Sequence, residues 1–199
     1  MTWIDTLSYE QAKGRLKKLY DNVKPPQGQI DNILTAHSLR PRTLHAHLTL
    51  YKEVMHTKPN ELSNRERELV GVCVSILNGC NYCVKHHTAG LAKHVGSQEL
   101  AEELAQASVE NIQSSNMTQR EGKLCEYAKK LTLNPSEMVE EDIINLREAG
   151  LSDAGILDLN QITAYFSYAN RTVLGLGVTT EGDTLGLHPT DEKEGFVHK

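Results

Sequence analysis

The chain has 199 residues, of which 39% are hydrophobic and 24% are charged, and its formal net charge is −5 at pH 7. This acidic balance gives no electrostatic reason to expect nucleic acid or an anionic membrane as a partner. No apolar run approaches the roughly 18 residues that a membrane-spanning helix needs. The N-terminal sequence lacks the charged and then apolar layout of a signal peptide, so we expect a cytoplasmic protein.

Helix signals follow one another along the first two thirds of the chain. A first helix is predicted to begin after Ser8 and to end before Pro25, and Pro41 stands where proline often opens a helix. Ser63 and Thr118 each precede a glutamate by three residues, which is the capping-box pattern of a helix N-terminus. Each box leads into a stretch with helical periodicity, so two more helices are predicted there.

Glycines and serines mark the remaining helix ends. Gly79, Gly96 and Gly150 are predicted to end helices, because glycine tolerates the left-handed conformation common at helix C-termini, and Ser152 begins the longest apolar helix. Almost no stretch alternates apolar and polar residues, so no sheet is expected. We predict an all-α, single-domain helical bundle over residues 1–178, followed by an irregular tail over residues 179–199.

The stretch GCNYCVKHH holds two cysteines and two histidines within residues 79–87. On a helix, Cys80, Cys83 and His87 share one face, whereas His86 points elsewhere. Both thiols would lie in the first turn after the Gly79 break, where backbone N–H groups and the helix dipole lower a thiol pKa. In a reducing compartment, a C-x-x-C pair indicates redox or metal chemistry before a structural disulfide.

Glu68 lies twelve residues before Cys80, on the preceding predicted helix. A tight turn at Asn78 and Gly79 would fold that helix back over the cysteines. Burying an unpaired carboxylate is costly, so a glutamate in this position suggests that it shares protons with a thiol and with the His87 imidazole.

Glu68, followed by eleven residues and then Cys80-x-x-Cys83-x-x-x-His87, resembles the signature of the alkylhydroperoxidase D and carboxymuconolactone decarboxylase superfamily. The flanking segments DNILTAHSLRPRTLHAHLTLYKEVMH and LSDAGILDLNQITAYFSYANRTVLGLGV are similar to its branch of uncharacterised peroxidase-related enzymes. The resemblance extends over nearly the whole chain, from residue 3 to residue 180.

The resemblance implies an all-helical homo-oligomer, a trimer or a hexamer, that reduces peroxides without a cofactor. Electrons would come from a thiol protein or from a dithiol carrier such as lipoamide. It also implies that Cys83 attacks the peroxide, that Cys80 resolves the sulfenic acid, and that Glu68 and His87 relay protons. Tyr82 departs from the pattern, because the well-studied peroxidase has a histidine between its cysteines, and a phenol is a poorer proton carrier near neutral pH.

Other interpretations remain open from the residues alone. Zinc could bind Cys80, Cys83 and His87 with a fourth ligand, or the cysteines could be small core residues, as we expect for Cys73 and Cys125. Two further functions are considered: cofactor-free acid–base chemistry of the carboxymuconolactone decarboxylase type on a lactone or carboxylate, and a non-catalytic redox switch. The decarboxylase chemistry has no use for a C-x-x-C pair.

Overall fold

A computed structural model describes residues 2–26, 28–110 and 116–186 of the chain. The helices in these ranges are α1 Gly14–Val23, α2 Asn32–Ala36, α3 Pro41–Met55, α4 Asn64–Leu77, α5 Asn81–Val95, α6 Gln98–Glu110, α7 Gln119–Leu133, α8 Glu140–Glu148 and α9 Asp153–Leu176, with a 3₁₀ turn at Pro135–Glu137. No strand occurs within these ranges, and the predicted all-α, single-domain fold is confirmed. None of these helices is both long enough and hydrophobic enough to span a membrane.

Both predicted capping boxes are present. The Ser63 hydroxyl accepts a hydrogen bond from the Glu66 N–H at the start of α4, and Glu66 in turn accepts one from the Ser63 N–H. Thr118 and Glu121 make the same reciprocal pair at the start of α7. These bonds satisfy backbone donors that a helix N-terminus otherwise leaves unpaired.

The two capped helix ends also bind each other through ion pairs. Arg120 of α7 lies 2.7 Å from the Glu66 carboxylate, and Arg65 of α4 lies 2.6 Å from the Glu121 carboxylate. Each capping glutamate thus serves its own helix and an arginine of the other helix. The crossed pairs fix the start of α4, the helix that carries Glu68, against α7.

The first helix begins later than predicted. Ser8 opens a separate turn, in which its N–H donates to Gln11 Oε1 at 2.9 Å and its hydroxyl accepts from the Gln11 N–H. Gly14 then adopts a φ of 55°, in the left-handed region, which interrupts a right-handed helix. The continuous helix therefore starts only at Gly14, and it ends at Val23 ahead of Pro25 as predicted.

Helix α4 lies at the centre of the bundle, and all its residues from 66 to 75 are buried. It packs against α5, α7 and α9. At the crossing with α9, a Cβ atom on Gly71 would lie only 2.4 Å from Phe166 Cζ, so the close approach of the two helices requires glycine there. The main core around this crossing consists of Val54, Met55, Leu62, Val70, Val74, Leu124, Tyr127, Ala128, Leu146, Leu151, Ile156, Leu159, Ile162, Tyr165, Phe166 and Ala169.

The predicted corner between α4 and α5 is present. Gly79 has a φ of 68°, and the Cys80 N–H donates to the Ser75 carbonyl at 2.8 Å, which closes the C-terminal turn of α4. Helix α5 then begins at Asn81 and ends at Gly96, whose φ is 77°. The corner reverses the chain, so α4 and α5 form a helical hairpin with Cys80 at its turn.

Helix α9 ends at Gly177, and the chain continues without helix to residue 186. We call residues 178–186 the C-terminal strap. The Asn32 side chain donates to the carbonyls of Thr179 and Glu181, and Lys93 donates to the carbonyl of Gly186. The strap therefore connects α2 to the outer face of α5. The rest of the predicted tail, residues 187–199, lies outside the described residues.

Candidate active site

Both cysteines of the motif lie at the start of α5 and are buried. Cys80 occupies the N-cap position and is fully buried, and Cys83 follows in the first turn with 3% of its surface exposed. All four cysteines of the chain are free thiols. The apolar cluster around the motif contains Ala36, Cys80, Tyr82, Cys83, Val173 and Val178, from α2, α5, α9 and the strap.

The two thiols of the motif differ in acidity. A hydrogen bond with Cys83 lowers the pKa of Cys80 to about 7, against the opposing effect of burial, and the backbone N–H groups of Cys83 and Tyr82 add to the lowering. The same thiol–thiol bond, together with burial, raises the pKa of Cys83 well above its usual value. The N-terminus of a helix favours a negative charge, so Cys80 carries the single thiolate of the pair near neutral pH.

Asn170 of α9 is a site residue that the sequence analysis did not identify. Its side chain is fully buried, and its amide lowers the pKa of both thiols. The amide is held in place by the Ser75 hydroxyl at 3.1 Å and by the Asn78 side chain at 3.0 Å. The available signal was a polar side chain in a very apolar stretch of α9.

The structure also brings together Glu68 and His87. Glu68 Oε2 lies 2.7 Å from His87 Nδ1, and only 2% of the Glu68 surface is exposed. The His87 ring packs edge-on against Phe166, with 4.6 Å between ring centroids. The buried carboxylate expected from the sequence therefore does contact the imidazole expected to share its proton.

Tyr51 of α3 is near both the Cys83 thiol and the Glu68–His87 pair. Burial raises the Tyr51 pKa well above its usual value, and the charges of Glu68, Asp31 and Cys83 raise it further. Its ring centroid is 6.4 Å from that of His87. The sulfur, the imidazole and the carboxylate are therefore all near one phenol. Nothing in the sequence around Tyr51 indicated this position.

On the other side of α5, a second cluster of polar side chains surrounds Asp183 of the strap. The Tyr82 hydroxyl donates to Asp183 Oδ2 at 2.7 Å, and His86 Nε2 lies 3.3 Å from the same oxygen. Burial raises the pKa of the neighbouring Asp31 to about 7, and the Asp183 charge contributes to this rise, while His86 opposes it. His86 thus points away from the Glu68–His87 pair, as the helical spacing predicted.

The two neighbouring histidines of α3, His45 and His47, differ in burial. His45 is exposed, but His47 is 96% buried and stacks on His37 with 4.7 Å between ring centroids. Burial lowers the His47 pKa to about 3. The cause is the packing of α3 against α9, which places Tyr165 next to the His47 ring.

Two other sequence expectations concern metal binding and the remaining cysteines. Within the described ranges, no three His, Cys, Asp or Glu side chains are arranged to hold a metal ion. Cys73 and Cys125 are fully buried in a separate apolar cluster with Leu69, Leu91, Ala101, Leu104, Ala107 and Met117. The prediction that these two cysteines are core residues is confirmed.

Residues 41–111, which contain Glu68, the cysteine pair and His87, match the model of the carboxymuconolactone decarboxylase family. This part of the chain is therefore similar to that family. The superfamily resemblance predicted from the motif is confirmed over residues 41–111. That superfamily includes peroxidase-related proteins as well as decarboxylases. No curated protein matches the chain.

Several solved structures share the fold. An uncharacterized peroxidase-related protein from Ralstonia eutropha JMP134, an alkylhydroperoxidase AhpD core, superposes with a TM-score of 0.76 at 24% identity, over 89% of this chain and 91% of that chain. A peroxidase-related protein from Silicibacter sp. TM1040 gives 0.72 at 26% identity, over 89% and 87%. The debrominase Bmp8, as a cysteine-to-alanine variant in complex with 2,3,4-tribromopyrrole, gives 0.70 at 15% identity, over 90% and 91%.

Proposed function

We propose that the protein is a thiol-dependent peroxidase that reduces hydrogen peroxide or organic hydroperoxides. The observation that supports this most is the composition of the first turns of α5. The helix begins with two free thiols, of which Cys80 is the more acidic. One turn after the second thiol comes an imidazole that is hydrogen-bonded to the buried Glu68 carboxylate. These are a nucleophile, a resolving thiol and a proton carrier on one helix.

In the first step, the Cys83 sulfur attacks the terminal oxygen of the peroxide. His87 takes the Cys83 proton as the S–O bond forms, and it returns that proton to the alkoxide or hydroxide that leaves when the O–O bond breaks. Cys83 becomes a sulfenic acid and the peroxide becomes an alcohol or water. Since the Cys83 pKa is raised, this thiol needs a base, and His87 is one helical turn away.

In the second step, the Cys80 thiolate attacks the sulfur of the Cys83 sulfenic acid. The S–S bond forms, and the hydroxide that leaves takes a proton and departs as water. Cys80 suits this role because it is held as a thiolate at the N-cap of α5 before the peroxide arrives. A thiol protein or dithiol carrier then reduces the disulfide by exchange, and no cofactor enters the cycle.

Glu68 orients His87 in this scheme. With Nδ1–H of the imidazole donating to the carboxylate, Nε2 is left unprotonated and able to accept the thiol proton. Tyr82 has no such role, because its hydroxyl already donates to Asp183 and accepts from the Ile33 N–H. The replacement of histidine by tyrosine between the cysteines therefore removes one proton carrier and leaves the His87 relay intact.

We also propose that the protein acts as a cytoplasmic homo-oligomer. Large apolar side chains are exposed on the single chain, among them Leu157 and Leu174 of α9 with 55% and 44% exposure, and Leu39 with 43%. Exposed apolar side chains in this number are consistent with a surface that a second copy covers.

The second candidate function is cofactor-free acid–base chemistry on a lactone or carboxylate. The Glu68–His87 pair supports it, since a buried carboxylate and an imidazole suffice for proton transfer at carbon. In that case the cysteines take no part in the reaction. The redox-switch alternative uses the thiols but turns nothing over.

Counting thiols separates the three functions. The reduced protein should show four thiols, and one equivalent of peroxide should leave two, with a Cys80–Cys83 disulfide found by peptide mapping. Cys73 and Cys125 serve as an internal control, because both belong to a core cluster separate from the one around the motif and should stay reduced. Four remaining thiols would favour the acid–base enzyme, and loss of two thiols without turnover on added dithiol would favour the switch.

A further inference from the structure

The C-terminal strap carries a carboxylate that is completely buried although the strap has no regular structure. The Asp183 side chain has 0% exposure. It accepts hydrogen bonds from the Asn32 N–H, the Gln29 side chain and the Tyr82 hydroxyl, and it contacts His86. Burial raises the Asp183 pKa, but these bonds outweigh burial, and the net pKa lies below its usual value.

The Asp183 carboxylate fixes the residue between the two redox cysteines. Tyr82 donates to Asp183 at 2.7 Å and accepts from the Ile33 N–H at 3.2 Å, so its ring is tied at the hydroxyl to both the strap and α2. Only 7% of the Tyr82 surface is exposed. A side chain with its far end bound in this way restricts the backbone to which it is attached.

That backbone contacts the thiol pair. The N–H groups of Tyr82 and Cys83 stabilise the negative charge on Cys80, and these N–H groups belong to the first turn of α5. Cys80 itself has non-helical backbone angles, with φ of −89° and ψ of 82°. The first helical turn of α5 therefore begins at Asn81, one residue after Cys80. A small shift of Tyr82 would therefore change the distance between these donors and the sulfur.

We propose that Asp183 is a positioning residue, which through Tyr82 holds the first turn of α5 in the arrangement that the Cys80–Cys83 pair requires. The inference deepens the proposed function and depends on it. The strap, whose sequence carries no redox motif, thereby has a role at the active site.

The sign of the effect separates positioning from simple electrostatics. The charged and titratable groups around Asp183 are Asp31, Tyr82 and His86. A negative charge near a thiol raises the thiol pKa, so removal of the Asp183 charge alone would lower the Cys80 pKa or leave it unchanged. If Asp183 acts by positioning, its removal loosens the N–H donors, and the Cys80 pKa rises.

The test is a pH titration of the reduced full-length protein, in which the ultraviolet absorbance of the thiolate is monitored. Each protein is compared with its own Cys80→Ser counterpart, so that the difference reports the thiolate of the pair without requiring reagent access. For the protein with Asp183 and Tyr82 intact we expect a midpoint near pH 7. In Asp183→Ala the midpoint should rise, so that the thiolate fraction at pH 7 falls by about 5-fold for a rise of about one unit.

Three further variants complete the design. Tyr82→Phe should reproduce the rise, since it removes the hydroxyl that Asp183 binds, and it gives a reading even if Asp183→Ala does not fold. Asp183→Asn should restore most of the lower midpoint, because the amide oxygen still accepts from Tyr82. Lys93→Ala is the matched control, because it releases the strap at Gly186 without touching Tyr82, and it should leave the midpoint unchanged.

An unchanged or lowered midpoint in both Asp183→Ala and Tyr82→Phe would overturn the inference and leave the proposed function standing. The same rise in Lys93→Ala would also overturn it, because strap docking in general would then be responsible. A midpoint near the ordinary thiol value with Asp183 and Tyr82 intact would instead count against the proposed function.

Discussion

The Cys80→Ser and Cys83→Ser variants should each lose dithiol-driven peroxide turnover, with rates at least about 100-fold below those of the protein with both cysteines. Without Cys83 no sulfur attacks the peroxide, and without Cys80 the sulfenic acid has no neighbouring thiolate to resolve it. The measurement is peroxide consumption with excess dithiol. Cys125→Ala is the control, because this thiol belongs to the separate core cluster and its loss should leave turnover intact.

Trapping the sulfenic acid distinguishes the roles of the two cysteines. A dimedone adduct should form on Cys83 in the Cys80→Ser variant after one equivalent of peroxide, and no adduct should form in the Cys83→Ser variant. The reverse pattern would make Cys80 the attacking thiol, in line with its lower pKa, and would exchange the two roles. Adducts in neither variant would contradict the sulfenic acid step itself.

The Glu68→Gln and His87→Gln variants should slow peroxide turnover by about 10²- to 10³-fold, which is the usual contribution of a positioned acid or base. In Glu68→Gln the 2.7 Å contact loses its charge, so the carboxylate no longer holds the His87 ring in one tautomer. In His87→Gln the proton carrier itself is gone. The measurement is the rate at saturating dithiol, together with its dependence on pH.

The matched control for these variants is His94→Gln, since His94 is an exposed imidazole two turns further along α5. Its rate should equal that of the protein with His94 intact. Full activity in Glu68→Gln and His87→Gln alike would remove the relay from the mechanism while leaving the thiol chemistry in place.

Local sequence signals predicted most of the helix ends. The capping boxes at Ser63 and Thr118 and the corner at Gly79 each depend on residues within four positions of one another, and all three are present in the structure. The first helix was predicted wrongly, because a turn at Ser8 and a left-handed Gly14 resemble the beginning of a continuous helix in sequence. That distinction depends on one backbone angle, which periodicity does not encode.

The site was predictable only where its residues lie close together along the chain. Glu68 and His87 belong to the two arms of one hairpin, so the corner at Gly79 was enough to bring them together. Asn170 and Asp183 reach the first turn of α5 from α9 and from the strap. Their placement depends on how distant elements pack, and a single sequence contains no direct record of that packing.

The most direct measurement of the central claim is steady-state peroxide reduction by the purified protein with a dithiol donor. Hydrogen peroxide and an organic hydroperoxide would be tested in parallel, with lipoamide or a thioredoxin as the reductant. The account predicts sustained turnover, with dithiol oxidised in equal amount to the peroxide consumed. Peroxide consumption that stops after one equivalent, or none at all with either donor, would contradict it.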